Sequence, residues 1–248
     1  MKKGVLCAMN YYVDIHANLL PGLPAAAAGA LTEAEAVQRA AVFRESNIKI
    51  AVAAPAFDPA RYAPEQFLHV RDEALARMAD AAPPMRLVPG AVLPFGFCVE
   101  FPRELKPFAL GDSEYLLIDL PQEKVTEEFC EDISRLRIVS GLCPIAADID
   151  RFYGCWSPED WIALRRTGML LQISVNGLLN TDFRKLSLYL LANQYAHFVA
   201  TGSRDIAQPL HFTEAMRVIQ RSLPAQIYRR VKNNAGMLLS NAEPAAFL

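Results

Sequence analysis

The chain has 248 residues, of which 52% are hydrophobic and 21% are charged, so it is predicted to be a globular protein with a substantial core rather than a disordered one. The formal net charge of −2 at pH 7 argues against a nucleic-acid-binding protein. The chain contains no run of 18 apolar residues, so no membrane span is predicted. Asn10 ends the first apolar stretch too early for a secretory signal, so the cytoplasm is the expected location.

Short apolar strands alternate with helices along the chain. Strands are predicted around Asp14-Ile15-His16 and at 48–54, 86–92, 115–120, 142–147, 170–175 and 197–201. Helices are predicted near 32–46, 64–82, 123–140, 157–167, 181–194, 213–222 and 224–232, and an alanine-rich loop at 24–30. This alternation is typical of a mostly parallel α/β sheet buried on both faces. Seven strands, most followed by a helix, favour a closed or nearly closed barrel in a single domain, 1–248.

The five cysteines of the chain are widely spaced and include no C-x-x-C pair. Zinc sites and disulfide frameworks need clustered or paired cysteines. Buried free thiols are therefore expected, and none is assigned a role.

The first strand ends in two polar residues, Asp14 and His16. The carboxyl ends of the strands are where α/β barrels carry their active sites. A histidine oriented by a neighbouring carboxylate is a common beginning of a metal site. Asn18, however, stands two residues later, where a second histidine would complete a chelating pair.

The stretch from Val13 to Gly22 resembles the opening of the polymerase and histidinol phosphatase (PHP) superfamily. Within it, the chain is similar to the bacterial protein-tyrosine phosphatases encoded with capsule and exopolysaccharide genes. Further blocks resemble that family in the same order, at 89–91, 115–121, 171–179, 197–200 and 233–238. The resemblance implies a distorted seven-stranded (β/α) barrel. It also implies a cluster of manganese or similar divalent metals that activates water to attack a phosphomonoester.

Most ligand positions implied by this resemblance carry other residues. His16 is retained, and Asp119 and Asp148 are carboxylates that substitute for other ligands; these three are the candidate metal ligands. The remaining positions compared hold poor or repulsive groups: Asn18, Ala56, Val92, Gly202 and Arg204. Because Mg²⁺- or Mn²⁺-type sites typically want about six ligands, three donors are too few for a multinuclear cluster. The alternative for His16 is a hydrogen bond at the strand end, and for Asp148 or Asp150 an ion pair with Arg151 or Arg204.

Two arginines are candidate anion-binding residues. Arg151 is retained from the family block, and Arg204 replaces a histidine of the closing metal motif. Arginine suits bidentate contacts with phosphate but equally suits salt bridges, so both interpretations stay open. Arg204 would also repel a dication, and it could pair with Asp119 or Asp148 in the cation's place.

Three functions are compatible with these residues. The leading hypothesis is a catalytically impaired homologue that acts as a binding or regulatory protein in exopolysaccharide biosynthesis, with a phosphotyrosine-bearing protein or another acidic ligand as partner. The second is a residual metal-dependent phosphatase that uses His16, Asp119 and Asp148. The third is an interaction module whose former active-site cleft is only structural. The oligomeric state is not predicted.

Overall fold

The computed structural model describes residues 10–25, 28–81, 85–202 and 211–247. The strands are β1 (Tyr12–Ala17), β2 (Pro24–Ala25), β3 (Ala28–Ala30), β4 (Ile48–Ala53), β5 (Arg86–Pro89), β6 (Val92–Pro94), β7 (Tyr115–Asp119), β8 (Cys143–Ala146), β9 (Leu170–Ser174) and β10 (Phe198–Ala200). The α-helices are α1 (Glu33–Glu45), α2 (Pro64–Ala81), α3 (Phe95–Glu100), α4 (Glu127–Ser140), α5 (Pro158–Arg166), α6 (Val175–Leu179), α7 (Thr181–Ala192), α8 (Phe212–Ser222) and α9 (Ala225–Leu239). Strands and helices thus alternate as the sequence predicts.

The strands form two parallel sheets. One has the order β1-β4-β5 and the other the order β10-β9-β8-β7-β6. The predicted strand 86–92 is broken at Gly90 and Ala91, and its two halves pair with different neighbours. A side chain at Gly90 would place its Cβ 2.5 Å from Cγ1 of Val52, so the backbone there packs closer to β4 than other residues allow.

The two sheets approach each other at both ends without continuous strand pairing. On one side an isolated bridge joins Ala56 to Val92. On the other side the carbonyl oxygen of His16 accepts hydrogen bonds from the Gly202 N–H, at 3.0 Å, and from the Thr201 hydroxyl. The prediction of a parallel α/β fold is confirmed, whereas the closed seven-stranded barrel is not, because the ladders end at these two places.

Both faces of the sheets are buried, as the apolar strands predict. Alternate residues of β7 belong to different hydrophobic cores: Leu116 and Ile118 to the larger core, and Tyr115 and Leu117 to the smaller one. Helix α9 completes the smaller core with Leu238. Because the strands are covered on both sides, a polar side chain within them needs a protein partner for its hydrogen bonds.

Local signals set most helix limits. Thr32 caps α1 with a reciprocal capping box to Glu35, as the sequence predicts. The alanine-rich segment was expected to be a loop, but its described part forms the antiparallel β2–β3 pair. Helix α9 extends to Leu239, seven residues past its predicted end. Within the described ranges no helix is both long and apolar enough to cross a membrane.

The cysteine prediction is only partly confirmed. The four cysteines in the described ranges are free thiols. Cys98 and Cys143 are buried as expected, but Cys155 is exposed and Cys130 is half-buried. Cys7 lies outside the described residues.

Candidate functional site

The residues of the candidate site lie within β1 and β9 or follow the carboxyl ends of β8 and β10. Parallel strands bring these ends to one edge of the sheet. Asp14 and His16 lie on β1, Asp148 follows β8, Gln172 lies on β9 and Gly202 follows β10. All four polar side chains are at most 9% exposed, so each depends on protein partners for its hydrogen bonds.

Asp14 ties the first strand to the last. Its Oδ1 accepts from the backbone N–H of His16 at 2.9 Å, and both carboxylate oxygens accept from the N–H of Thr201 at 3.2–3.3 Å. Burial raises the pKa of the Asp14 carboxyl, and these hydrogen bonds oppose the rise. Asp14 therefore positions the backbone around His16, as the sequence indicates, while its oxygens are directed at N–H groups.

Gln172 is the centre of the hydrogen-bond network around His16. Its Oε1 lies 3.1 Å from Nδ1 of His16 and accepts from the backbone N–H of Asp148 at 3.0 Å. Its Nε2 donates to Oδ1 of Asp148 at 3.0 Å, which fixes the orientation of the amide. Since Oε1 can only accept, His16 carries a hydrogen on Nδ1, and in the neutral ring the lone pair is on Nε2.

Asp148 sets the electrostatics of His16. Its Oδ1 lies 3.5 Å from Nδ1 of His16. Burial lowers the pKa of His16, but the charge and hydrogen bond of Asp148, the hydrogen bond of Gln172 and the charge of Asp14 outweigh it, so the pKa is raised overall. Two of the three candidate metal ligands, His16 and Asp148, thus lie side by side, and Gln172 is hydrogen-bonded to both.

Asp148 and Gly202 are sterically matched. Asp148 has a left-handed backbone, with φ of 49°, an uncommon conformation for a residue other than glycine. A Cβ built on Gly202 would lie 1.9 Å from Oδ1 of Asp148. The carboxylate of Asp148 therefore occupies the space that a side chain at position 202 would need.

The third candidate ligand, Asp119, is paired with Arg151. The carboxylate at the end of β7 lies 2.5 Å from Nη2 of Arg151. The same nitrogen donates to the carbonyl oxygen of Leu120, and the guanidinium stacks on the ring of Phe152 at 4.4 Å. Of the two interpretations of Arg151 that the sequence left open, the structure shows the salt bridge.

Asp150 is turned toward the start of α6. Its two carboxylate oxygens accept from the N–H and the hydroxyl of Ser174, each at 2.7 Å. Burial, together with the charge of Asp148, raises the pKa of Asp150 to about 6. The alternative ion pair of Asp150 with Arg151 does not form, because Ser174 supplies two hydrogen-bond donors to Asp150 and Arg151 pairs with Asp119.

The substituted ligand positions bring no further donor to His16. Ala56 and Val92 offer only backbone bridging to each other. Asn18 is 4% exposed, and neither atom of its amide has a hydrogen-bond partner among the described residues. Arg204, the second candidate for anion binding, lies outside the described residues. Within the described ranges, no three His, Cys, Asp or Glu side chains are arranged to hold a metal ion.

A cavity of about 530 Å³ adjoins Asp119 at the carboxyl ends of β6 and β7. Phe95 and Phe129 line it, with ring centroids 4.6 Å apart. Its charged lining is mainly acidic: Asp119, Glu123, Glu128 and Asp132, with Lys124 as the cation. This lining disfavours an anionic ligand in the cavity itself.

Gln172 joins His16 to Asp148 but is not among the residues that the sequence predicts for the site. The available signal was the residue type: a glutamine in the middle of an apolar strand predicted to be buried on both faces. Glutamine is seldom fully buried, and Gln172 is 0% exposed. A buried amide of this kind indicates a hydrogen-bonded network.

Comparison with known proteins agrees with this architecture. A solved structure from the work on YwqE of Bacillus subtilis and CpsB of Streptococcus pneumoniae, described as unique metal-dependent tyrosine phosphatases, is similar over 93% of this chain and 95% of that chain, with 23% identity and a TM-score of 0.79. Organophosphorus hydrolase of Deinococcus radiodurans is a more distant match, covering 94% of this chain and 93% of that chain at 14% identity and a TM-score of 0.53. A doubly substituted variant of that hydrolase gives 15% identity and a TM-score of 0.52, with 92% of each chain covered.

The solved structures, all below 25% identity, establish a shared fold. No curated protein sequence matches the chain significantly. The capsular polysaccharide synthesis family CpsB/CapC matches residues 12–240, nearly the whole chain. The chain therefore belongs to the CpsB/CapC family of capsular polysaccharide synthesis.

Proposed function

We propose that the protein serves capsular polysaccharide synthesis as a binding or regulatory member of its family, without metal-dependent phosphatase catalysis. The observation that carries this proposal is the ion pair between Asp119 and Arg151, at 2.5 Å. A candidate metal ligand and a candidate phosphate-binding residue neutralise each other. The ion pair would have to break before either residue could take part in phosphoester hydrolysis.

The remaining donors do not fit a multinuclear metal centre. Asp14 is directed at two backbone N–H groups, and Asp150 at Ser174. His16 and Asp148 remain, held together by Gln172. Two donors fall well short of the roughly six ligands that a hard divalent cation prefers.

Metal content and hydrolysis test the proposal directly. The protein is purified, incubated with manganese, desalted and analysed for bound metal, and hydrolysis of p-nitrophenyl phosphate is followed with manganese present. We expect no stoichiometric metal and no turnover above that of His16→Ala. Manganese-dependent turnover that His16→Ala abolishes would contradict the proposal and establish the residual phosphatase instead.

The binding part of the proposal concerns Arg151, with Arg204 as a second candidate. An acidic ligand, such as a phosphotyrosine side chain, must compete with Asp119 for the Arg151 guanidinium. We therefore expect Asp119→Asn to strengthen binding of phosphotyrosine, and Arg151→Ala to reduce the thermal stabilisation that phosphotyrosine gives. Asp112→Asn, which removes an exposed carboxylate elsewhere, is the charge-matched control. Equal stabilisation of the native protein and Arg151→Ala would exclude Arg151 as the binding residue.

A residual phosphatase is the second candidate function, and one observation favours it. The hydrogen bond of His16 Nδ1 to Gln172 leaves Nε2 as the nitrogen that carries the lone pair, as in metal-bound histidines. The metal and hydrolysis experiment separates the two candidates, since only the phosphatase depends on His16 for turnover.

A further inference from the structure

The outer face formed by α8 and α9 has a charge unlike that of the rest of the chain. Residues 211–240 contain five arginines and lysines but one acidic residue, whereas the whole chain has a net charge of −2. The five basic residues are Arg217, Arg221, Arg229, Arg230 and Lys232. Arg217, Arg221 and Arg229 are exposed. A surface with this excess of positive charge attracts anions.

One of these cations, Lys232, contacts a pair of tyrosines that joins the start of β1 to α9. The hydroxyls of Tyr12 and Tyr228 are 3.0 Å apart. Nζ of Lys232 lies 5.1 Å from the centroid of the Tyr12 ring, within the range of a cation–π contact. The charge of Arg217 also acts on the Tyr12 hydroxyl. We call these four residues, Tyr12, Arg217, Tyr228 and Lys232, the tyrosine–cation cluster.

The paired hydroxyls provide a hydrogen-bond donor. Two hydroxyl groups that bond to each other place one hydrogen between their oxygens, and the second hydrogen points elsewhere. No other partner of either hydroxyl is present in the described part of the chain. Burial and the hydrogen bond to Tyr228 raise the pKa of Tyr12, while Arg217 acts in the opposite direction, so the hydroxyl stays protonated and can donate near pH 7.

The two cations of the cluster come from two helices that contact each other, α8 and α9. Arg217 and Arg221 lie one turn apart on α8, and Tyr228 and Lys232 lie one turn apart on α9. Neither Arg217 nor Lys232 forms an ion pair with a carboxylate of the described residues. Two unneutralised cations and a hydroxyl donor suit a group with several acceptor oxygens and more than one negative charge. Phosphate has these properties, whereas a carboxylate has a single charge.

We propose that the tyrosine–cation cluster is a binding site for a phosphate group. It is separate from the candidate site at the carboxyl ends of the strands. Tyr12 begins β1 and His16 lies four residues later, roughly 13 Å along the strand at about 3.3 Å per residue. The ligand is a phosphate-bearing molecule, and its phosphate comes from either a soluble phosphate compound or a phospholipid headgroup.

The test compares two phosphate sources and three variants of the full chain, and Arg151→Ala is measured as well, as a variant of the strand-end site. Inorganic phosphate is titrated by calorimetry, and co-sedimentation is measured with vesicles of phosphatidylglycerol and of phosphatidylcholine. The variants are Arg217→Gln/Lys232→Gln, Tyr228→Phe, which removes the hydroxyl alone, and Arg103→Gln, which removes one exposed arginine elsewhere. We expect about tenfold weaker binding in the double variant and about threefold weaker binding in Tyr228→Phe, with Arg103→Gln like the native protein.

Each outcome bears on the proposal. Weakening of inorganic phosphate binding identifies a soluble ligand, and weakening of phosphatidylglycerol binding alone identifies a lipid headgroup; both support the cluster. Three results would overturn the proposal. Binding could be unchanged in the double variant, it could be lost in Arg151→Ala instead, or it could be absent with both phosphate sources. Melting temperatures are measured for all variants, and Lys232→Gln alone replaces the double variant if the latter is unfolded.

Discussion

At the scale of single residues, the candidate site is organised by side chains that share hydrogen bonds. Gln172 forms hydrogen bonds with both His16 and Asp148, and Asp148 adopts a left-handed backbone conformation beside Gly202. Each of these residues constrains the next, because a buried polar atom without a partner costs about 1–3 kcal/mol. The site is therefore best regarded as a single network rather than a set of independent ligands.

His197 provides a pH-dependent prediction. It is buried at the start of β10, and its Nδ1 accepts from the N–H of Leu171 at 3.1 Å. Burial, with the charges of Arg165 and Arg230, lowers the pKa of His197 to about 3. Below about pH 6.5 the histidine binds a proton in the unfolded chain but not in the folded chain. The free energy of unfolding therefore decreases as the pH is lowered, by up to about 1.4 kcal/mol per pH unit.

We therefore expect His197→Asn to lose about 2 kcal/mol less stability than the native protein between pH 7 and pH 5. Urea unfolding at the two pH values measures this difference. Asparagine keeps an acceptor near the N–H of Leu171 but does not titrate. Because only the difference between the two proteins is used, the titration of buried carboxyls such as Asp150 cancels. Parallel pH profiles would show that His197 does not account for acid destabilisation.

At the scale of elements, the break between β5 and β6 decides how the sheets are arranged. The apolar run 86–92 is correctly predicted to be extended, but its first half pairs with β4 and its second half with β7. Gly90 sits at the change of partner, against the side chains of Val52 and Leu110. The close approach of the backbone to Val52 is a tertiary contact, so strand propensity alone does not reveal it.

Gly90→Ala is expected to destabilise the protein by about 1–3 kcal/mol, because its Cβ would meet Cγ1 of Val52 at 2.5 Å. The substitution Val52→Ala removes that atom and should relieve part of the cost in the double variant. Chemical unfolding of both single variants and the double variant gives the coupling energy. Gly96→Ala is the control, since nothing lies within 4 Å of its added Cβ. Additive effects of Gly90→Ala and Val52→Ala would disprove the contact.

At the scale of the whole molecule, a few buried hydrogen bonds join the two sheets where the edge strand β1 meets the edge strand β10. Asp14 on β1 accepts from Thr201, 187 positions later in the chain, and His16 accepts from Gly202. These contacts replace the ladder that a closed barrel would have at this point. The side chain that contributes to this junction is the carboxylate of Asp14, which is 0% exposed.

Asp14→Asn is expected to lower the free energy of unfolding by about 1–3 kcal/mol, because an amide nitrogen would face an N–H group and leave it without an acceptor. Urea unfolding measures the change in stability, and hydrogen exchange of the Thr201 amide should become faster. Asp112→Asn, on the exposed surface, controls for the lost charge. An Asp14→Asn protein with native stability and native exchange at Thr201 would contradict the assigned role of the junction.

Local patterns predicted the elements well. The helix start at Thr32 follows from its capping box with Glu35, and α2 begins at the predicted Pro64. The predicted strand positions are also found, because short apolar runs bounded by polar or turn residues are local signals. The short helices α3 and α6 were not predicted, since five or six residues carry too little periodicity.

The candidate site was less predictable. The sequence identified His16 and Asp148, which meet, but grouped them with Asp119, which pairs with Arg151 instead. Residue types at strand ends indicate which side chains reach the carboxyl edge. They do not indicate which carboxylate faces which base, because that depends on backbone conformation and on neighbours far away in the chain.

By itself the sequence determined the alternation of strands and helices, the helix caps, the burial of the sheet on both faces and the likeness to one phosphatase family. Only the tertiary structure decided that the sheet divides at Gly90, that Gln172 links His16 to Asp148, and that Arg151 forms an ion pair with Asp119. The physical reason is the range of the interactions. Apolar periodicity and capping act within a few residues, whereas the hydrogen bond between His16 and Gln172 joins positions 156 residues apart, which only the folded chain brings together.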